Sequence, residues 1–184
     1  MKKTLKVALY ILLALVLIVL AYVIYVFAAY YRVEDMQKLG VAHCDAASAA
    51  PMADAPQTGV TYRVSSANVG FGAYSDDYSF FMDGGKESRA RSRQAVDENI
   101  RGEVSLVKDL SPDFALFQEV DIDGTRSWHI AEDAYLDDVM GNSEFNKVFA
   151  QNYDSPYLFY PLINPHGANQ SGILTLSRHP ISSA

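Results

Sequence analysis

Asn68 and the pair Gln118-Glu119 are the residues of this chain best placed to do chemistry. Asn68 sits in Ser66-Ala67-Asn68-Val69-Gly70, and Gln118-Glu119 closes the run Pro112-Asp113-Phe114-Ala115-Leu116-Phe117. Each is an apolar stretch of strand length that stops at a polar residue. Strands buried on both faces read as near-continuous apolar runs, and ligands gather where such strands end. A carboxylate delivered to the rim of a buried sheet, with a carboxamide from the neighbouring strand beside it, suits a hard cation such as Mg²⁺. The competing reading is two strand-end polar groups satisfied by turns. Arg126 and His129 follow Glu119 closely and could reach a phosphate oxygen, although Arg126 could equally pair with Asp121 or Asp123 on the surface. His166, one of four histidines, and Asn169 lie in the polar stretch Pro165-His166-Gly167-Ala168-Asn169-Gln170-Ser171-Gly172 and are further candidates for substrate contact.

A third segment joins the first two: Gly172-Ile173-Leu174-Thr175-Leu176-Ser177-Arg178-His179-Pro180-Ile181. In this order and at these separations, the three segments resemble the endonuclease/exonuclease/phosphatase family, over residues 60–184. The resemblance implies an α/β sandwich of two mostly antiparallel sheets with helices outside. It also implies metal-dependent hydrolysis of a phosphate ester, with Glu119 on Mg²⁺ or Mn²⁺ and Asn68 as a catalytic-site residue beside it. His179 falls in the variable slot of the family's Ser-Arg-x-Pro run and is expected to be structural. The family's later Asn-x-His, Gly-Asp-x-Asn and Ser-Asp-His strings do not occur here. The chain is therefore expected to be the N-terminal portion of a longer enzyme, with negligible turnover by itself.

The positioning elements begin with an anchor. Residues 7–31 carry no charge, a run of about 25, long enough to cross a bilayer with some tilt. Tyr22, Tyr25, Tyr30 and Tyr31 crowd its second half, where aromatic rings suit the lipid–water interface, and Lys2, Lys3 and Lys6 flank the first. The positive-inside bias puts residues 1–6 in the cytoplasm and the rest outside. A cleaved signal peptide has an apolar region of about 7–15 residues, so an uncleaved signal anchor is favoured. Residues 32–59, rich in Ala with Asp45, Asp54, Pro51 and Pro56, read as a stalk. Cys44 is the only cysteine, which excludes an intrachain disulfide. The net charge of −7 argues against bulk polyanion binding, but a bound divalent cation can dominate a local field, so a phosphodiester substrate stays open.

Within residues 60–184, the alternating stretch 60–65 predicts a strand running into Asn68. Residues 70–88 form a long aromatic loop that could wall a cleft or tuck under its own rings. Its Gly84-Gly85-Lys86 offers only a weak phosphate-binding signal. Val96, Ile100, Val104, Val107 and Leu110 fall at helical spacing, predicting an amphipathic helix capped by Ser92 and stopped at Ser111-Pro112. A strand over 114–117 follows, then a helix over 129–140 ending at Gly141-Asn142. Strands are predicted over 147–151 and 157–160, separated by a loop over 152–156. The function this supports is a membrane-anchored phosphoesterase acting on a nucleic acid or phospholipid headgroup. The alternative is a membrane-tethered binding module that performs no chemistry.

Overall fold

The structure is a computed structural model that describes residues 2–44, 55–141 and 144–184. Helix α1 (Lys2–Ala28) has 27 residues, none of them buried, and is long and apolar enough to cross a membrane. Beyond it the chain builds one sheet from β1 (Val41–Ala42), β2 (Val64–Asn68), β3 (Phe114–Gly124), β4 (Asn146–Leu158) and β5 (Gly167–Ser177), in the order β1-β4-β5-β3-β2. Neighbours are antiparallel except β2 and β3, which run parallel. That parallel pair needs a crossover, supplied by α2 (Arg93–Asp109). A shorter helix, α3 (Glu132–Met140), follows β3. The mixed α/β class is as expected. The described residues form a single sheet, where the family resemblance implies two.

Strand alternation sorts the side chains. Ala115, Phe117, Leu174 and Leu176 point to one face, where they are buried against Val96, Ile100 and Val104 of α2 and Leu136 and Met140 of α3. Leu116, Ile173 and Thr175, one residue out of phase, lie on the other face and stay partly exposed. Helix α2 begins as its sequence predicts, with Ser92 Oγ accepting from Ala95 N at 3.0 Å. It ends before Ser111, whose φ of 48° turns the chain toward Pro112 and β3.

Four expectations change. Val41 and Ala42, inside the presumed stalk, pair with Val148 and Lys147 as an edge strand, and Leu39 N donates to Ala184 O at 2.9 Å. Stalk residues 45–54 lie outside the described residues. The loop predicted over 152–156 is part of β4, because β5 keeps pairing along its whole length. Two register shifts, between Gln151 and Tyr153 and between Ser155 and Leu158, absorb the turn-prone residues as bulges. Strand β3 likewise runs well past Phe117. Finally, Trp128 and His129 have φ of 58° and 55°, conformations that no helix holds, so α3 starts only at Glu132. It stops at Gly141; Asn142 is outside the described residues.

Candidate functional site

Because β2 and β3 are parallel and in register, with Asn68 opposite Gln118, their polar ends arrive together at one rim of the sheet. Just there β3 slips against β5: Phe117 is opposite Leu174, but Val120 is opposite Gly172. Gln118 and Glu119 therefore share the place facing Ile173, which is a β-bulge. Glu119 takes φ of 55°, a left-handed conformation that costs a residue with a side chain about 1–2 kcal/mol. The bulge turns its carboxylate toward β2. Asn68 Nδ2 donates to Glu119 Oε1 at 2.8 Å, while Asn68 Oδ1 accepts from Gly70 N at 2.9 Å. The carboxamide is held at both ends. Glu119 Oε2 accepts no hydrogen bond among the described residues.

Across the pocket stands Arg126. Its Nη2 and Nε donate to Asp121 at 2.7 and 3.0 Å, its guanidinium lies 4.1 Å from the centre of the Phe71 ring, and Ser127 Oγ donates to Asp121 Oδ2 at 2.8 Å. Asp121 is fully buried. Burial opposes the Arg126 charge, but the hydrogen bond and charge of Asp121 outweigh it and hold the guanidinium above its ordinary pKa. The pairing with Asp121 weighed from the sequence exists, but in the interior, where it fixes Arg126 along the pocket wall.

His166 closes another side. It is buried, and its Nδ1 lies 2.9 Å from Ser88 O. A carbonyl can only accept, so Nδ1 carries the proton and Nε2 a lone pair. Burial lowers its pKa, keeping the ring neutral. Phe80 and Phe81 surround it at 5.9 and 5.8 Å between ring centres. Asn68, Glu119, Arg126 and His166, with Gln118, Tyr153, Ser171 and the loop residues Phe80 and Met82, line an open pocket of about 470 Å³.

Two candidates stand elsewhere. Asn169 is buried, with Oδ1 accepting from Arg126 N at 3.0 Å and Nδ2 donating to His166 O at 3.2 Å. It braces the backbones that carry Arg126 and His166. His129 is exposed and meets Asp123 Oδ1 at 2.5 Å, away from the pocket lining. The amides of Gly85 and Lys86 donate to Phe80 O and Ser79 O, both at 2.8 Å, so that turn offers no phosphate nest. The long loop does both things weighed for it. Phe71, Tyr74, Tyr78 and Phe80 pack on one another, and Phe80 and Met82 wall the pocket. His179 is buried, stacked 5.4 Å from Phe114.

Sequence reasoning missed Tyr153, Ser171 and Glu132, and it placed Asp121 on the surface rather than in the interior. Glu132 is fully buried, and its Oε2 accepts from Asp121 N at 2.8 Å. Burial, then the charge of Asp121, pushes its pKa well up, and its hydrogen bond props the bulged strand. For cation binding the donor set is narrow. No group of three or more His, Cys, Asp or Glu suited to a metal occurs among the described residues. One carboxylate with a free oxygen fits Mg²⁺, which keeps several waters and commonly takes one or two carboxylates plus substrate phosphate. No protein-family model, no curated protein and no solved structure matches the chain.

Proposed function

We propose that the chain carries the cation-side part of a phosphoester hydrolase site of the endonuclease/exonuclease/phosphatase type, held at a membrane by α1. One observation carries this reading: the left-handed bulge at Glu119, which aims a carboxylate held by Asn68 into a pocket walled by Arg126. Strain of this kind persists where surrounding structure over-determines it, and such positions cluster at functional sites. Glu119 would hold Mg²⁺ or Mn²⁺, and the cation would polarise a phosphoryl oxygen. Asn68 orients Glu119. Arg126, fixed by Asp121, presents charge to non-bridging phosphate oxygens. His166 Nε2 accepts a hydrogen bond from a water or a substrate hydroxyl. On this reading the sheet is one layer of a two-sheet sandwich, and Leu116, Ile173 and Thr175 lie on the face that the second layer covers. Lys2, Lys3 and Lys6 put the N-terminus in the cytoplasm and the pocket outside.

The test is Mn²⁺ binding by electron paramagnetic resonance, on the full chain in detergent, with and without inorganic phosphate. Phosphate should raise Mn²⁺ affinity, and Glu119→Gln should lower it at least about tenfold, roughly 1.4 kcal/mol. Unchanged binding in Glu119→Gln would overturn the assignment. The single carboxylate favours the second reading, a binding module. Cation-dependent phosphate binding with no hydrolysis by the whole protein would select it.

A further inference from the structure

The segment between β4 and β5 exposes Phe159, Tyr160, Leu162 and Ile163 in near succession, with Leu162 87% and Ile163 84% exposed. Residues 155–177 contain no Asp, Glu, Lys or Arg. A run this apolar, uncharged and exposed marks a contact surface.

Its neighbour says which kind. Tyr157 N donates to Tyr25 Oη at 3.1 Å and Phe159 N donates to Tyr22 Oη at 3.2 Å. The Tyr22 and Phe159 rings meet edge to face at 5.6 Å. The segment thus docks on α1 below the helix's end. Tyr22 precedes Ala28 by six residues, about 9 Å along the axis. A bilayer core takes about 20 helical residues, which counted from Val7 reach Val26. Tyr22 and Tyr25 then fall just inside the outer hydrocarbon boundary, and Phe159 is held at that depth.

We propose that residues 159–163 are a membrane-contact loop, with Leu162 and Ile163 inserted into the outer leaflet in which α1 sits. The inference rests on α1 crossing a bilayer. Phe81 continues the contact, its ring 5.8 Å from that of Tyr160, and the next residue, Met82, is exposed and lines the pocket. The pocket rim therefore adjoins the lipid-facing loop.

Depth-dependent quenching tests this in the full chain, reconstituted in phosphatidylcholine nanodiscs containing a doxyl-labelled phosphatidylcholine. A bimane fluorophore is placed, in a Cys44→Ser background, on Ile163→Cys, on Leu13→Cys in mid-α1, or on Val64→Cys. Val64 is exposed and lies at the far end of the sheet, roughly 30 Å from the start of β5 by strand rise. The probes at 13 and 163 should be quenched at least twofold more than the probe at 64. Quenching at 13 with 163 no different from 64 overturns the proposal and leaves the anchor standing. No quenching at 13 overturns the anchor and the proposal with it. A probe on Leu162→Cys repeats the comparison if the variant at 163 fails to fold.

Discussion

Arg126 Nη2 lies 2.7 Å from Asp121 Oδ1, and neither side chain is more than 9% exposed. Removing one partner of such a pair leaves the other charge buried and uncompensated, which costs about 3–5 kcal/mol. Arg126→Met should therefore destabilise the fold by about that much, read from thermal unfolding in detergent. Asp121→Asn/Arg126→Met should recover most of the loss, since no net charge then stays inside. A double variant as unstable as Arg126→Met would show that Arg126 matters through its packing on Phe71.

Asn68 uses both ends of its carboxamide, on Glu119 and on Gly70 N. Asn68→Ala should free the Glu119 carboxylate and weaken Mn²⁺ binding several-fold, about 1 kcal/mol for one hydrogen bond. Asn68→Asp should do the reverse and strengthen it, because a second carboxylate joins the first beside the cation. If both variants weaken binding alike, Asn68 does not stand beside the cation.

The bulge sets stability against function at a single residue. Glycine at position 119 escapes the left-handed penalty of about 1–2 kcal/mol and adds unfolded-state entropy worth about 0.5–1 kcal/mol. Glu119→Gly should therefore melt within about 1 kcal/mol of the wild type, or above it, while losing cation binding. Glu119→Val, β-branched at positive φ, should be destabilised by more than 1 kcal/mol. A strongly destabilised Glu119→Gly would mean that the side chain itself holds the strand.

These residues were legible in the sequence to different degrees. Asn68 and Glu119 stood out because an apolar run that stops at a polar residue is a local signal. The bulge did not, since a register slip depends on β5, more than fifty residues away in sequence (Val120 faces Gly172). Arg126 read equally as a phosphate contact or as the surface partner of Asp121 or Asp123, because one-dimensional spacing carries no burial. The α2 cap and the stripe Val96, Ile100, Val104 and Val107 were legible, being set by neighbours within one helical turn, whereas Leu110, placed in the same stripe, lies past the helix end and is exposed. The loop predicted over 152–156 was misread for the converse reason. Asn, Asp, Ser and Pro favour turns locally, but pairing with β5 overrode that preference.

Stability should depend on pH. Glu103 lies on α2 with Oε2 buried and unpartnered, and burial pushes its pKa up to about 7 from the usual 4.5. Glu132 is raised as well, by burial and by the charge of Asp121. Above about 4.5 the unfolded chain releases these protons before the folded one does, for Glu103 up to about 7, so the unfolded state binds fewer protons and stability falls as pH rises. Asp77 and Glu87, held low by hydrogen bonds from Arg91, stay charged across that window and add no slope. His166, held below its ordinary value by burial, contributes the opposite slope, because the unfolded chain binds that proton more readily; the two raised acids should outweigh this one imidazole, so the melting temperature should drop from about pH 5 to about pH 7.5. Glu103 retains solvent contact, so its own share, discounted for screening, is about 1–2 kcal/mol. That corresponds to roughly 2–8 °C for a chain of this size. Glu103→Gln should remove that much of the fall and leave the remainder to Glu132 and His166. A Glu103→Gln profile parallel to the wild type would show that Glu103 is solvated in the folded protein.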